Sequence, residues 1–117
     1  MTRSLLGLTA LLAGCGFSAP DVAIVPDHPT FSADVLPVMD DHCNLCHGAK
    51  PGRGAPSGFR FDLYDDVGAV AGAAALAEEI LASVTDDEMP PSASWGDGLG
   101  PNAKELLRRW VADGAPR

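Results

Sequence analysis

The chain has 117 residues, 13 of them glycine and 10 proline. That length and loop content allow one small domain with short elements and a core that needs a staple, a metal or a cofactor to complete it. With 16 acidic against 8 basic residues, net charge −8, the composition argues against a nucleic-acid partner, whose phosphates require a basic face. The same charge is satisfied by a solvated acidic surface or by a basic protein partner.

In chain order, residues 1–14 read as an export signal. One basic residue, Arg3, precedes an apolar run from Leu5 to Ala13, which is too short to span a bilayer but fits a secretory h-region. Leu12-Ala13-Gly14-Cys15 resembles a bacterial lipobox, which makes Cys15 the lipid-bearing residue after cleavage. The plainer alternative is an ordinary signal peptide with an incidental cysteine. Gly16 after Cys15 is not the aspartate that retains some lipoproteins at the inner membrane, so the outer membrane is preferred. Residues 15–29 form the lipidated N-terminus and a Pro-rich tether, and residues 30–117 the domain. From Gly16 to Pro29 the tether would reach about 40 Å if extended. Within it, Val22 to Val25 could pair as a short strand or pack on the domain.

The stretch from Thr30 to Gly48 predicts the first helix. Phe31, Val35, Met39 and Cys43 recur every four residues, and Cys46 follows. Pro37 is tolerated in a first turn if Asp34 is the N-cap, so the regular helix is expected from Val35, with Phe31 in an irregular turn ahead of it. Its end carries Cys43-Asn44-Leu45-Cys46-His47. A disulfide between Cys43 and Cys46 would close a tiny loop and stabilise little. Zinc wants four N/S ligands, and His42 and His47 beside this one pair make a poor tetrahedron. A thioredoxin-like redox pair belongs in a strand-rich α/β pattern, which is not visible. C-x-x-C-H is the attachment site of c-type haem. Residues i and i+3 lie on one side of a helical turn, so both thiols can add to the two vinyl groups of a porphyrin, with His47 as proximal iron ligand. That chemistry needs an oxidising extracytoplasmic compartment, which the export signal supplies.

Ala49 to Asp62 is a Gly/Pro-rich loop. Phe59, Phe61 and Leu63 are expected on the haem edge or over the core. Arg60 could meet a haem propionate or stand exposed, and Asp62 is expected to cap a short turn through Val67. Gly72 to Val84 predicts a second helix with Leu76, Ile80, Leu81 and Val84 on its apolar stripe. Asp86-Asp87-Glu88 then leads into Met89-Pro90-Pro91. Two prolines stiffen and extend this strap, which suits a thioether offered to the open face of a haem, so Met89 is the expected distal ligand. Met39, on the attachment side, is assigned to the core. His28 is the rival ligand, His42 is an exposed or helix-end residue, and Lys50 is too near His47 to reach the far face. The acidic run reads as a solvated turn or as a rim that steers a basic partner. Trp95 could shield the haem or donate its indole N–H to a propionate.

Gly100 to Pro116 carries the last predicted helix, with Pro101 at its start and Gly114 and Pro116 past its end. Ala103, Leu106, Leu107, Trp110 and Val111 make its buried face, and Glu105 pairs with Arg109.

Phe31…Val35-Leu36-Pro37…Cys43-x-x-Cys46-His47-Gly48, Phe59-Arg60-Phe61-Asp62…Tyr64, Met89-Pro90-Pro91 and Trp110…Gly114-Ala115-Pro116 together resemble the class I c-type cytochromes, nearest to planctomycete and myxobacterial cytochrome c domains. The resemblance covers Phe31 to Pro116. It implies an all-α cytochrome c fold of three to four helices around one haem c, with thioethers at Cys43 and Cys46 and with His47 and Met89 on the iron. It also implies a meeting of Phe31 with Trp110 where first and last helices cross, and a loop carbonyl near Pro51 or Pro56 taking the second N–H of His47. A Ser/Thr cap before the last helix is missing, with Gly100 in its place. The expected protein is a monomeric, membrane-tethered one-electron carrier facing the periplasm, an electron-transfer protein rather than an enzyme, with redox proteins, basic ones among them, as partners. The alternative is a haem peroxidase or a gas or redox sensor with a labile or absent Met ligand.

Overall fold

Thr30 opens the first turn. Its backbone is extended (φ −113°, ψ 157°) and its hydroxyl accepts the N–H of Ala33 at 3.4 Å, while its own N–H donates to the Asp34 carboxylate at 2.9 Å. This is a reciprocal cap stretched by one residue, because the turn it opens, Phe31–Val35, is π-helical. Asp34 therefore turns back to Thr30 rather than capping the helix that follows. A proline in a regular helix collides with the carbonyl four residues earlier, and the widened turn sits immediately ahead of Pro37. Helix α1 is Leu36–His42 and α2 is Asn44–His47. The expected single helix is thus broken at Cys43 (φ −121°, ψ −44°).

The computed structural model describes residues 20–52, 54–91 and 98–117; Cys15, Trp95 and the expected signal segment lie outside them. Helix α3 is Ala77–Thr85, shorter than the pattern predicts, because residues 73–76 form turns. Helix α4 is Pro101–Ala112. Among the described residues there is no strand, only the bridges Phe59 to Ala71 and Val67 to Val70. The structure is mostly helical and small, an all-α architecture. No helix among the described residues is long and apolar enough to cross a membrane.

The core lies where the π-turn and α3 meet α4. Phe31, Val35, Met39, Ile80, Val84, Leu106, Leu107 and Trp110 are buried in it. Met39 belongs to this core, as its spacing predicts. Phe31 packs against Trp110 with ring centroids 6.1 Å apart and against Tyr64 at 5.4 Å. The C-terminus closes the cluster. The carbonyl of Pro116 accepts the Trp110 indole N–H at 2.8 Å and the Phe31 backbone N–H at 2.9 Å, and Tyr64 donates to the Ala115 carbonyl at 2.7 Å. Gly114 holds the left-handed conformation (φ 84°) that ends α4.

The described part of the expected tether, residues 20–29, lies along the domain, which settles the two readings of Val22 to Val25 in favour of packing. Val22 and Val25 are half-buried on the core, and Pro29 is fully buried. Asn102 donates to the Val22 carbonyl at 2.7 Å, and Arg109 donates to the carbonyls of Val25 and Pro26 at 3.2 and 3.1 Å. The cap missing from the local sequence of α4 comes from this segment. The Asp21 carboxylate accepts the N–H of Asn102 at 3.0 Å and of Ala103 at 2.9 Å. A Cβ on Gly100 would stand 2.3 Å from the Asp21 carboxyl carbon, so glycine at the N-cap admits the carboxylate.

Candidate functional site

The turn carrying the two cysteines is built by backbone bonds. Cys43 donates to the Met39 carbonyl at 2.8 Å, and the Cys43 carbonyl accepts from Cys46 at 3.1 Å and from His47 at 2.9 Å. Despite the break at Cys43, the cysteines and the histidine therefore stay on one helical turn. Gly48 ends it, and a Cβ there would lie 2.4 Å from the Asn44 carbonyl oxygen.

His47 is the buried polar side chain among the described residues. Its ring stacks on Phe59 (centroids 4.9 Å) and lies 5.2 Å from Phe61. The segment bringing these rings is tied down at two adjacent residues. Phe61 donates to the His47 carbonyl at 2.9 Å, and Arg60 donates to the Ala71 carbonyl at 2.9 Å. Burial lowers the pKa of His47, which keeps the imidazole neutral and its lone pair free, as a metal ligand requires. Its Nδ1 is enclosed and has no hydrogen-bond partner among the described residues, so the carbonyls near Pro51 and Pro56 do not take that N–H here.

Both thiols are free. Burial, with a smaller contribution from Cys46, pushes Cys43 up to about 12. A C-x-x-C oxidoreductase lowers the pKa of its attacking thiol, the opposite of the direction at Cys43. Among the described residues no three His, Cys, Asp or Glu side chains are grouped to hold a metal ion.

Cys43, Cys46, His47 and Met89 all line one cavity of about 420 Å³, within the ~300–1,000 Å³ usual for small-molecule and cofactor sites. Phe59 and Phe61 form part of its wall, and Pro90 and Pro91 continue the Met89 side. Met89 is held by its backbone: the Ser83 carbonyl accepts the N–H of Glu88 at 2.9 Å and of Met89 at 3.1 Å. Met89 is 40% exposed.

His28, the rival ligand, is outside this cavity and pairs with Asp113 at 3.0 Å. Lys50 is exposed and does not line it. Arg60 and Leu63 do not line it either; Arg60 forms a two-pronged ion pair with Asp62, one bond at 2.9 Å. Asp62 thus serves that pair rather than capping a turn, and the pairing lowers its pKa. His42 is the last residue of α1, as predicted, but it is half-buried and forms part of the wall. The third wall was not assigned from sequence: Leu76, Glu79, Ile80, Ser83 and Val84 of the α3 region. Its signal was the apolar stripe of that helix, which does not distinguish a core face from a cavity face.

The chain matches no family model, and no curated protein or solved structure is similar to it.

Proposed function

We propose that this protein is a monohaem c-type cytochrome of the bacterial cell envelope, exported by residues 1–14 and held to the membrane by a lipid on Cys15. The observation that carries the reading is the convergence of the C-x-x-C-H turn and Met89, distant in sequence, on one cavity. The donor set fits haem c: two free thiols on one turn, a neutral buried imidazole, and a thioether from another part of the fold. Cys43 and Cys46 would hold the porphyrin covalently, and His47 and Met89 would supply the axial ligands. When bound, the haem supplies a one-electron ferrous–ferric couple. The chain contributes a largely apolar wall that excludes water, with Phe59 and Phe61 setting the orientation of the His47 ring. With His47 and Met89 both holding the iron, the protein would act as a carrier rather than a catalyst. The exposed acids Asp86 and Glu88 beside Met89 favour basic redox proteins as partners.

The test is to express the full chain in a host with haem-attachment machinery and extract the denatured protein with acidified acetone. Colour retained on the polypeptide, with an intact mass that includes one porphyrin and the acyl group on Cys15, is expected. Colour lost to the solvent would overturn the reading.

A further inference from the structure

Met89 reaches the cavity from a turn that is pinned at two points. One is the Ser83 carbonyl, which takes the N–H groups of Glu88 and Met89. The other is Asp87, whose backbone is left-handed (φ 56°) and whose carboxylate accepts from Lys104 Nζ at 2.6 Å. Lys104 lies in the first turn of α4, and its own N–H donates to the Gly100 carbonyl at 3.1 Å. That first turn is capped by Asp21, which belongs to the segment preceding the domain. A chain of direct contacts therefore runs from Asp21 through residues 100–104 to Asp87 and Met89.

We infer that Asp21 and Lys104 are positioning residues for Met89, so that docking of the N-terminal segment on α4 governs how firmly the sulfur is held at the cavity. An exposed ion pair such as Lys104–Asp87 is worth little by itself, and its geometry depends on α4 being formed to its first residue. Asp21 secures that turn, where the chain has glycine and proline and no local side-chain cap. The inference rests on the proposed function only in calling the sulfur a ligand; the latch is a property of the chain.

Amide hydrogen exchange on the full chain tests the latch with or without porphyrin. Asp21→Ala and Lys104→Met are expected to speed exchange at Glu88 and Met89 by about five-fold, the factor that loss of one cap produces. Asp21→Asn, which still caps, and Lys104→Arg, which still pairs, are expected to restore protection. Tyr64→Phe is the control, because it removes the bond to Ala115 at the opposite end of α4. It lowers global stability without selectively speeding Met89. In haem-loaded protein the two latch variants are also expected to bind imidazole at the ferric iron about five-fold more tightly. Unchanged exchange at Met89 in Asp21→Ala and Lys104→Met, or an equal local effect in Tyr64→Phe, overturns the latch. Protein that carries no covalent porphyrin overturns the functional reading, while the exchange data still decide the latch.

Discussion

Asp21 accepts the backbone N–H of Ala103 at 2.9 Å across 82 residues of sequence. A helix that lacks a cap in its own sequence borrows one from the segment ahead of the domain. Burial would raise the Asp21 pKa, but the N–H groups of Asn102, Ala103 and Val22, with the nearby His42 charge, outweigh it and hold the carboxyl below its ordinary value of 3.8. Replacing Asp21 by alanine is expected to destabilise the protein by about 1–2 kcal/mol, and replacement by asparagine by much less. A depressed folded pKa means the carboxylate stabilises fully above its ordinary value and loses that contribution as pH falls through the folded one. Urea titrations should therefore show a wild-type advantage over Asp21→Ala at neutral pH that shrinks below about pH 4. An advantage independent of pH would refute the charged cap.

Gly100→Ala is a second probe of the same contact. The added Cβ would fall on the Asp21 carboxylate, so the carboxylate must leave. Its stability loss should match that of Asp21→Ala, and the double variant should lose little more, since the two act on one interaction. Additive losses in the double-mutant cycle would separate them.

The Pro116 carbonyl joins the first and last elements by accepting from both Phe31 and Trp110. Trp110→Phe keeps most of the apolar volume and removes one bond, so about 1 kcal/mol should be lost. Trp110→Ala should lose about 3–5 kcal/mol and, in a domain this small, most of its folded population. Equal losses for the two substitutions in chemical denaturation would show that the indole N–H, not packing, dominates.

Gly48 lets the chain leave the C-x-x-C-H turn without a collision. In Gly48→Ala the new Cβ meets the Asn44 carbonyl, and backbone has to move, which is expected to remove about 1–3 kcal/mol. Because His47 is the neighbouring residue, the yield of haem-loaded protein on a per-chain basis should fall more than that of Ala49→Gly, a substitution at the exposed next position. Equal yields would detach Gly48 from the site.

Met89→Ala distinguishes the axial assignments. In haem-loaded protein it should abolish the sulfur-to-iron absorption band, lower the potential and allow ferrous CO binding that the wild type resists. His28→Ala should change none of these, because His28 stands with Asp113 away from the cavity. The reverse pattern would move the distal ligand to His28.

The sequence by itself determined the features whose cause is local. The shared turn of Cys43, Cys46 and His47, the start of α4 at Pro101 and its stop ahead of Gly114 all follow from spacing, fixed dihedrals or periodicity, whereas the extended strap expected at Met89-Pro90-Pro91 is a bend whose Met89 N–H turns back to the Ser83 carbonyl. So does the burial of Leu106, Leu107 and Trp110, since one face of a 3.6-residue repeat must leave water. The tertiary structure alone decided whatever depends on two distant segments meeting. It laid residues 20–29 along α4, supplied Asp21 as the cap and turned part of the α3 stripe into a cavity wall. The physical reason is that a carboxylate, a carbonyl or an apolar face has the same local sequence signature whichever partner satisfies it. The choice of partner is made by packing the whole chain, where loop-closure entropy and burial are balanced over many segments at once.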